Sequence, residues 1–173
     1  MILKQERKSA VFKKLFKQKK EENIVAPVNG KIVPLEEVPD PVFSEKMMGE
    51  GIAIIPEDGK IYSPVDGKVI QVAETKHAIG LVTEGGVEIL IHIGLETVGL
   101  KGKGFIAKIN VDDEVKAGQL LMEADLEYIG EHASNTITPI VITNSAEGKK
   151  NYHFTSEKTA KAGETVIITA EDK

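Results

Sequence analysis

Two of the four histidines in the chain, His77 and His92, lie fifteen residues apart in "ETKHAIGLVTEGGVEILIHIG". Each sits on an apolar, strand-like segment, and "EGG", Glu84–Gly86, between them reads as a hairpin turn. With Glu84-Gly85 as a two-residue loop, His77 and His92 face each other directly, with Cβ atoms about 4.5–5.5 Å apart. A Gly85-Gly86 loop makes the pair diagonal, at about 7–8 Å. Alternation places Thr75 and Ile79 on the face of His77, and Glu88 and Leu90 on that of His92. Two adjacent imidazoles have few uses. As metal ligands, His77 and His92 fall short of the three or four that zinc takes, so a partner would have to supply another. As a catalytic pair, one ring is a nucleophile toward a phosphoryl group and the other an acid–base or charge partner. The bland alternative is a polar pair on a solvated face, and the Ile, Leu and Val around His92 weigh against it.

The elements that would position these rings begin at Ile24. From there "IVAPVNGKIVPL", "GIAIIPEDGKIYSPVDGKVIQVA", "AIGLVT", "VEILIHIGL" and "TPIVITN" are rich in Val, Ile and Thr, with Gly, Pro, Asn and Asp at intervals. This pattern predicts an all-β fold, an antiparallel β-sandwich or barrel with short helical turns. One helix is expected within Ala124–Ser134. Two internal echoes suggest a quasi-repeated architecture. "APVNGKIV" returns as "SPVDGKVI", and "VKAGQLLMEAD" as "AKAGETVIITAED". The Asn-Gly and Asp-Gly steps of the first echo suit turns with positive φ.

The 173 residues suffice for one well-buried core. Cysteine is absent, which excludes disulfides, thiolate zinc sites and cysteine nucleophiles and suits a cytoplasmic protein. No apolar run approaches the roughly 18 residues of a membrane span. Residues 1–20 hold seven Lys, one Arg and one Glu, a net charge of +7, whereas the whole chain carries −5. Residues 1–23 therefore read as a flexible basic leader on an acidic domain of residues 24–173. Val11, Phe12, Leu15 and Phe16 give the leader a loose helical pattern that can lie on an anionic membrane surface; the plainer expectation is a solvated segment. The basic start at Met1 favours a free-standing protein over a fused domain.

The stretch "VEILIHIGLETVGLKGKGF" resembles the active-histidine signature of glucose-type enzyme IIA of the bacterial phosphoenolpyruvate-dependent sugar phosphotransferase system. "VPDPVFSEKMMGEGIAIIP", "SPVDGKV", "ETKHAI" and "SNTITPIVITN" match that family in order and spacing. Together they cover about residues 24–170. The resemblance implies that His92 accepts a phosphoryl group from the histidine phosphocarrier protein and passes it to a cysteine on the IIB domain of a sugar permease. His77 then serves onward transfer and Thr75 contacts the site. Asp40, Val42, Phe43, Leu90, Glu96 and Val98 correspond to the family's binding face. The implied protein is a cytoplasmic monomer, peripheral at the inner face of the membrane where residues 1–20 dock on anionic lipid. It requires no cofactor, apart from a possible zinc ion at a partner interface, and binds no nucleic acid. Pro41, Lys76, Leu90 and Ile93 depart from the family pattern, which bears on partner preference more than on chemistry.

The resemblance fits the residues' own chemistry. A phosphohistidine must be shielded from water yet reachable by a partner, and a histidine in an apolar depression meets both needs. No G-x-x-x-x-G-K-[ST] loop is present, so ATP is not the expected donor. A biotinyl- or lipoyl-type carrier would share the "PVxGK" turns but needs a lysine in a motif such as Met-Lys-Met, which the chain lacks. A zinc peptidase needs H-x-x-x-D and H-x-H, also missing; His132 and His153 read as surface residues. A non-catalytic regulatory module remains the other alternative.

Overall fold

The computed structural model describes residues 20–173; the leader's amphipathic pattern and the membrane contact expected of it lie outside them. The chain forms β1 (Glu21–Val25), β2 (Gly30–Pro34), β3 (Glu50–Pro56), β4 (Lys60–Tyr62), β5 (Gly67–Val72), β6 (Ala78–Val82) and β7 (Glu88–His92). It continues with β8 (Phe105–Ala107), β9 (Glu114–Val115), β10 (Leu120–Ala124), β11 (Thr138–Ile142), β12 (Lys150–Phe154), β13 (Thr159–Ala160) and β14 (Val166–Asp172). Strand structure thus starts at Glu21, three residues ahead of the change of character at Ile24. An eight-stranded sheet runs β13-β2-β3-β11-β7-β6-β5-β9, with two three-stranded sheets, β1-β14-β12 and β4-β10-β8. All pairings are antiparallel. The sheets pack as a sandwich rather than a closed barrel. The main core brings Ile54, Ile79, Leu81, Ile89, Ile91 and Ile140 of the large sheet together with Ile24, Ile61, Leu121 and Ile168 of the small ones.

The two sequence echoes are halves of a pseudo-twofold arrangement. Exchanging β2 with β5, β3 with β6, β11 with β7 and β13 with β9 leaves the order of the large sheet unchanged, and β1-β14-β12 maps onto β4-β10-β8. Matching contacts repeat in each half. Asn29 Oδ1 accepts the Ala162 N–H at 2.8 Å, and Asp66 Oδ1 accepts the Ala117 N–H at 2.9 Å. The carbonyls of Ala26 and Ser63 accept from Gly163 and Gly118. The repeated Asn-Gly and Asp-Gly steps therefore tie the two echoes to each other. Contrary to the turn reading, none of Asn29, Gly30, Asp66 or Gly67 has positive φ. Gly30 and Gly67 open strands instead, where a Cβ would stand 2.0 Å from the Ile55 carbonyl oxygen and 2.4 Å from that of Val82.

The expected helix is α2 (Leu126–His132), shorter than Ala124–Ser134, with Asp125 as N-cap accepting the Tyr128 N–H. The single helical turn α1 (Pro41–Ser44) is one of the expected short helical turns, at a place the sequence pattern had not located. It is started by Pro at its first position and by Asp40, whose carboxylate accepts the Val42 N–H at 3.0 Å. This turn and the 3-10 turn Leu35–Glu37 lie in the β2–β3 connection and cover the outer face of the large sheet. There Leu35, Val38 and Phe43 form a second core with Ala53, Ala78, Leu90, Leu95 and Val141.

Candidate active site

His92 is the last residue of β7 and the point where the second core opens to solvent. Strand alternation sends Ile89 and Ile91 into the main core and Leu90 into the second, so half-buried His92 emerges on the outer face beside Leu90. The Phe43 ring packs against the imidazole with centroids 4.9 Å apart.

The hairpin register differs from both expected ones. β6 and β7 pair Ala78 with His92, Gly80 with Leu90 and Val82 with Glu88. Thr83 N–H then bonds the Val87 carbonyl, which leaves the three-residue loop Glu84–Gly86 with Gly86 in the left-handed region. The residue opposite His92 is Ala78. His77 stands opposite Ile93, whose N–H donates to the His77 carbonyl at 2.7 Å. Regular alternation from Ala78 would send His77 toward the main core with Ile79, which is fully buried there. Instead the strand ends at Ala78, and the preceding turn, closed by Lys76 N–H on the Ala73 carbonyl, passes through a left-handed Lys76 at φ 60°. The His77 ring so lies edge-on to His92, centroids 5.0 Å apart. The juxtaposition expected from sequence is present, by a route that strand alternation alone does not provide.

Hydrogen bonding fixes the state of His92. Its Nδ1 lies 2.8 Å from the Gly94 carbonyl oxygen. A carbonyl can only accept, so Nδ1 carries the proton and neutral His92 keeps its lone pair on Nε2. His77 Nδ1 lies 2.6 Å from Thr75 Oγ1. Burial pushes the pKa of His92 down, assisted by the neighbouring His77; the Gly94 bond and the Asp40 charge oppose this without overcoming it. Burial also lowers His77. Both rings are thereby biased to the neutral form, the form in which Nε2 of His92 is nucleophilic.

The other expected site residues separate by depth. Phe43 and Leu90, 3% and 8% exposed, form the floor. Val42 and Val98 are exposed and Glu96 stands in a left-handed bend at φ 58°. Asp40 caps α1 and is half-buried. The sequence did not single out Gly94, although it stands in the quoted "HIGLET"; its role lies in a main-chain carbonyl, which no side-chain pattern advertises. Among the described residues no group of three or more His, Asp or Glu is placed to hold a metal ion. His77 and His92 by themselves offer two imidazoles. His132 and His153 are both exposed, as expected. The cavity of about 730 Å³ lined by Met47, Met48, Asn151 and Tyr152 includes neither His77 nor His92.

A histidine with one nitrogen committed and the other free, beside a second imidazole on an apolar face, suits a carrier of a transferred group. The model of the EIIA 1 family of the phosphoenolpyruvate-dependent sugar phosphotransferase system matches residues 22–148. The chain belongs to this family. It is 47% identical over 169 residues to the glucose-specific EIIA component of Halalkalibacterium halodurans, covering 92% of this chain and 97% of that protein. It is also 48% identical over 153 residues to the glucose-specific EIICBA component of Staphylococcus saprophyticus, covering 88% of this chain but 22% of that longer protein. The glucose permease IIA structure from Mycoplasma capricolum superposes with a TM-score of 0.80 at 39% identity, over 87% of this chain and 96% of that one. Membership makes the chain a transferase-type phosphoryl carrier of sugar transport. Among the described residues no helix is long and apolar enough to cross a membrane.

Proposed function

We propose that His92 carries the phosphoryl group on Nε2, taking it from a phosphohistidine of the histidine phosphocarrier protein. The donor N–P bond breaks as the Nε2–P bond forms. The group then leaves for the cysteine thiolate of a IIB domain, an S–P bond replacing the Nε2–P bond. His92 keeps its Nδ1 proton throughout, so no proton has to move during either transfer. The observation that carries this reading is the hydrogen bond from Nδ1 to the Gly94 carbonyl, which leaves Nε2 free beside the second imidazole.

His77 is the electrostatic partner. With Thr75 donating its hydroxyl to Nδ1, the proton of neutral His77 sits on Nε2, available to a phosphoryl oxygen. The apolar floor of Phe43, Leu90 and Ala78 limits water around the phosphoramidate. Val42 and Val98 form a rim for docking, and Asp40 and Glu96 offer carboxylates to a basic partner. The sugar is of the glucose type, as in the names of the relatives, with its choice made by the permease. A zinc ion could be held by His77 and His92 only with a ligand from a docked partner.

The test is incubation with phosphoenolpyruvate, enzyme I and the phosphocarrier, followed by intact mass measurement. The expected result is one acid-labile phosphoryl group, absent in His92→Ala. Uptake by that variant at a near-normal rate would exclude His92 as the carrier.

A further inference from the structure

Resting on the reading of His92 as the phosphoryl acceptor, we propose that Thr97 and Asn135 are positioning residues. From opposite sides of Gly94 they hold its carbonyl against His92 Nδ1 and so select the tautomer that leaves Nε2 free.

The structure places Gly94 between two peptide planes, each pinned from outside. The first plane joins Ile93 to Gly94. Its carbonyl accepts the Thr97 hydroxyl at 2.7 Å, and Thr97 is fully buried. The Ile93 N–H, in the plane before, donates to the His77 carbonyl. The second plane joins Gly94 to Leu95. In a trans peptide the C=O and N–H point in opposite directions. Leu95 N–H donates to the Asn135 carbonyl at 2.8 Å. The Gly94 oxygen at the other side of the same plane is thereby aimed at His92 Nδ1. Asn135 is itself held, since its side-chain Oδ1 accepts the Ile137 N–H at 2.8 Å, and Ser134 N–H returns to the Leu95 carbonyl.

With both planes fixed, Gly94 has no freedom to rotate its carbonyl away. Its φ of 74° and the 2.7 Å and 2.8 Å that would separate a Cβ from Thr97 Cγ2 and the Asn135 oxygen leave glycine as the residue that fits. Thr97 and Asn135 touch neither ring nitrogen, so they act on the reaction only through this carbonyl. Thr97 is one of four buried polar side chains in the described residues, and its hydroxyl is committed to the Ile93 carbonyl.

Thr97→Val removes the hydroxyl at nearly constant shape, Thr97→Ser retains it, and Asn135→Ala removes the Oδ1 bond to Ile137 N–H that holds the Asn135 main chain, loosening its carbonyl's grip on the second plane while leaving the buried threonine intact. The imidazole tautomer is read by long-range ¹⁵N–¹H correlation at a pH where the ring is neutral, and phosphoryl uptake by rapid quench. In the native protein His92 shows the Nδ1-protonated form alone. In Thr97→Val and Asn135→Ala the Nε2-protonated form becomes visible and kcat for uptake falls about fivefold, the size of one lost neutral hydrogen bond, with KM for the phosphocarrier unchanged. Thr97→Ser restores both. A folded Thr97→Val or Asn135→Ala with the native tautomer overturns the proposal, whether or not uptake slows. The tautomer is measured without any phosphoryl donor, so a protein that takes up no phosphate refutes the function and leaves this measurement decisive for the positioning role.

Discussion

His77→Gln is expected to separate the two half-reactions. The ring of His77 lies 5.0 Å from that of His92. His77 is biased to the neutral form before uptake, and the phosphoryl charge arriving on His92 favours its protonation; at that distance, and at an effective dielectric of about 20, a full charge on each group is then worth about 3 kcal/mol. Losing that charge while keeping a donor corresponds to a factor of about 100 in rate. Charge accumulates on the phosphoryl oxygens as the group leaves His92, so the loss falls on onward transfer. Uptake depends on the free Nε2 lone pair, which the Gly94 carbonyl secures without His77, and should change by less than about tenfold. The assay is a pair of single-turnover rapid-quench measurements, one from phosphocarrier to protein and one from phosphorylated protein to a IIB domain. Glutamine keeps a donor but takes no charge, and the amide spectrum of the variant checks that the Ala73–Lys76 turn is intact. Equal losses in both steps, or onward transfer within tenfold of native, would refute a role for His77 in charge stabilisation.

His92→Ala should abolish uptake while shifting the urea midpoint little, because a half-buried ring on the outer face leaves a small cavity. Ile91→Ala, one residue away but fully buried between β6 and β11, should cost about 3–4 kcal/mol and lower Tm by about 10 °C. The acid limb of uptake against pH should have its midpoint below the ordinary histidine value of 6.5, because burial depresses the pKa of His92. The sign for stability follows from the same shift. Below 6.5 the unfolded chain binds protons that the folded histidines resist, so urea-derived stability should fall as pH drops from 6.5 and level off once below the folded pKa values. Lys76→Asn should raise stability by about 0.5 kcal/mol in urea titration, since Asn tolerates the left-handed backbone that Lys76 occupies at φ 60°.

Much of the arrangement was legible in the residues. Alternating Val and Ile between Gly, Pro, Asn and Asp specify short antiparallel strands, because burial on one face imposes a period of two whatever the partner strand. The family motifs around His77, His92 and Thr75 pointed to this pair, and the structure sets the two rings 5.0 Å apart. The echoes "APVNGKIV" and "VKAGQLL" announced a duplicated architecture, although their Asn29 and Asp66 join distant segments and do not shape turns. The tertiary structure alone decided the register of the hairpin, since a two- and a three-residue loop differ by where one glycine takes up positive φ. It alone brought His77 beside His92, through a left-handed Lys76 that no local preference for lysine favours. The Gly94 carbonyl that meets His92 Nδ1 is likewise a tertiary feature, its two peptide planes bonded by Thr97 and Asn135. Every residue has a carbonyl, so its direction is written in the chain's three-dimensional path and not in side-chain identity.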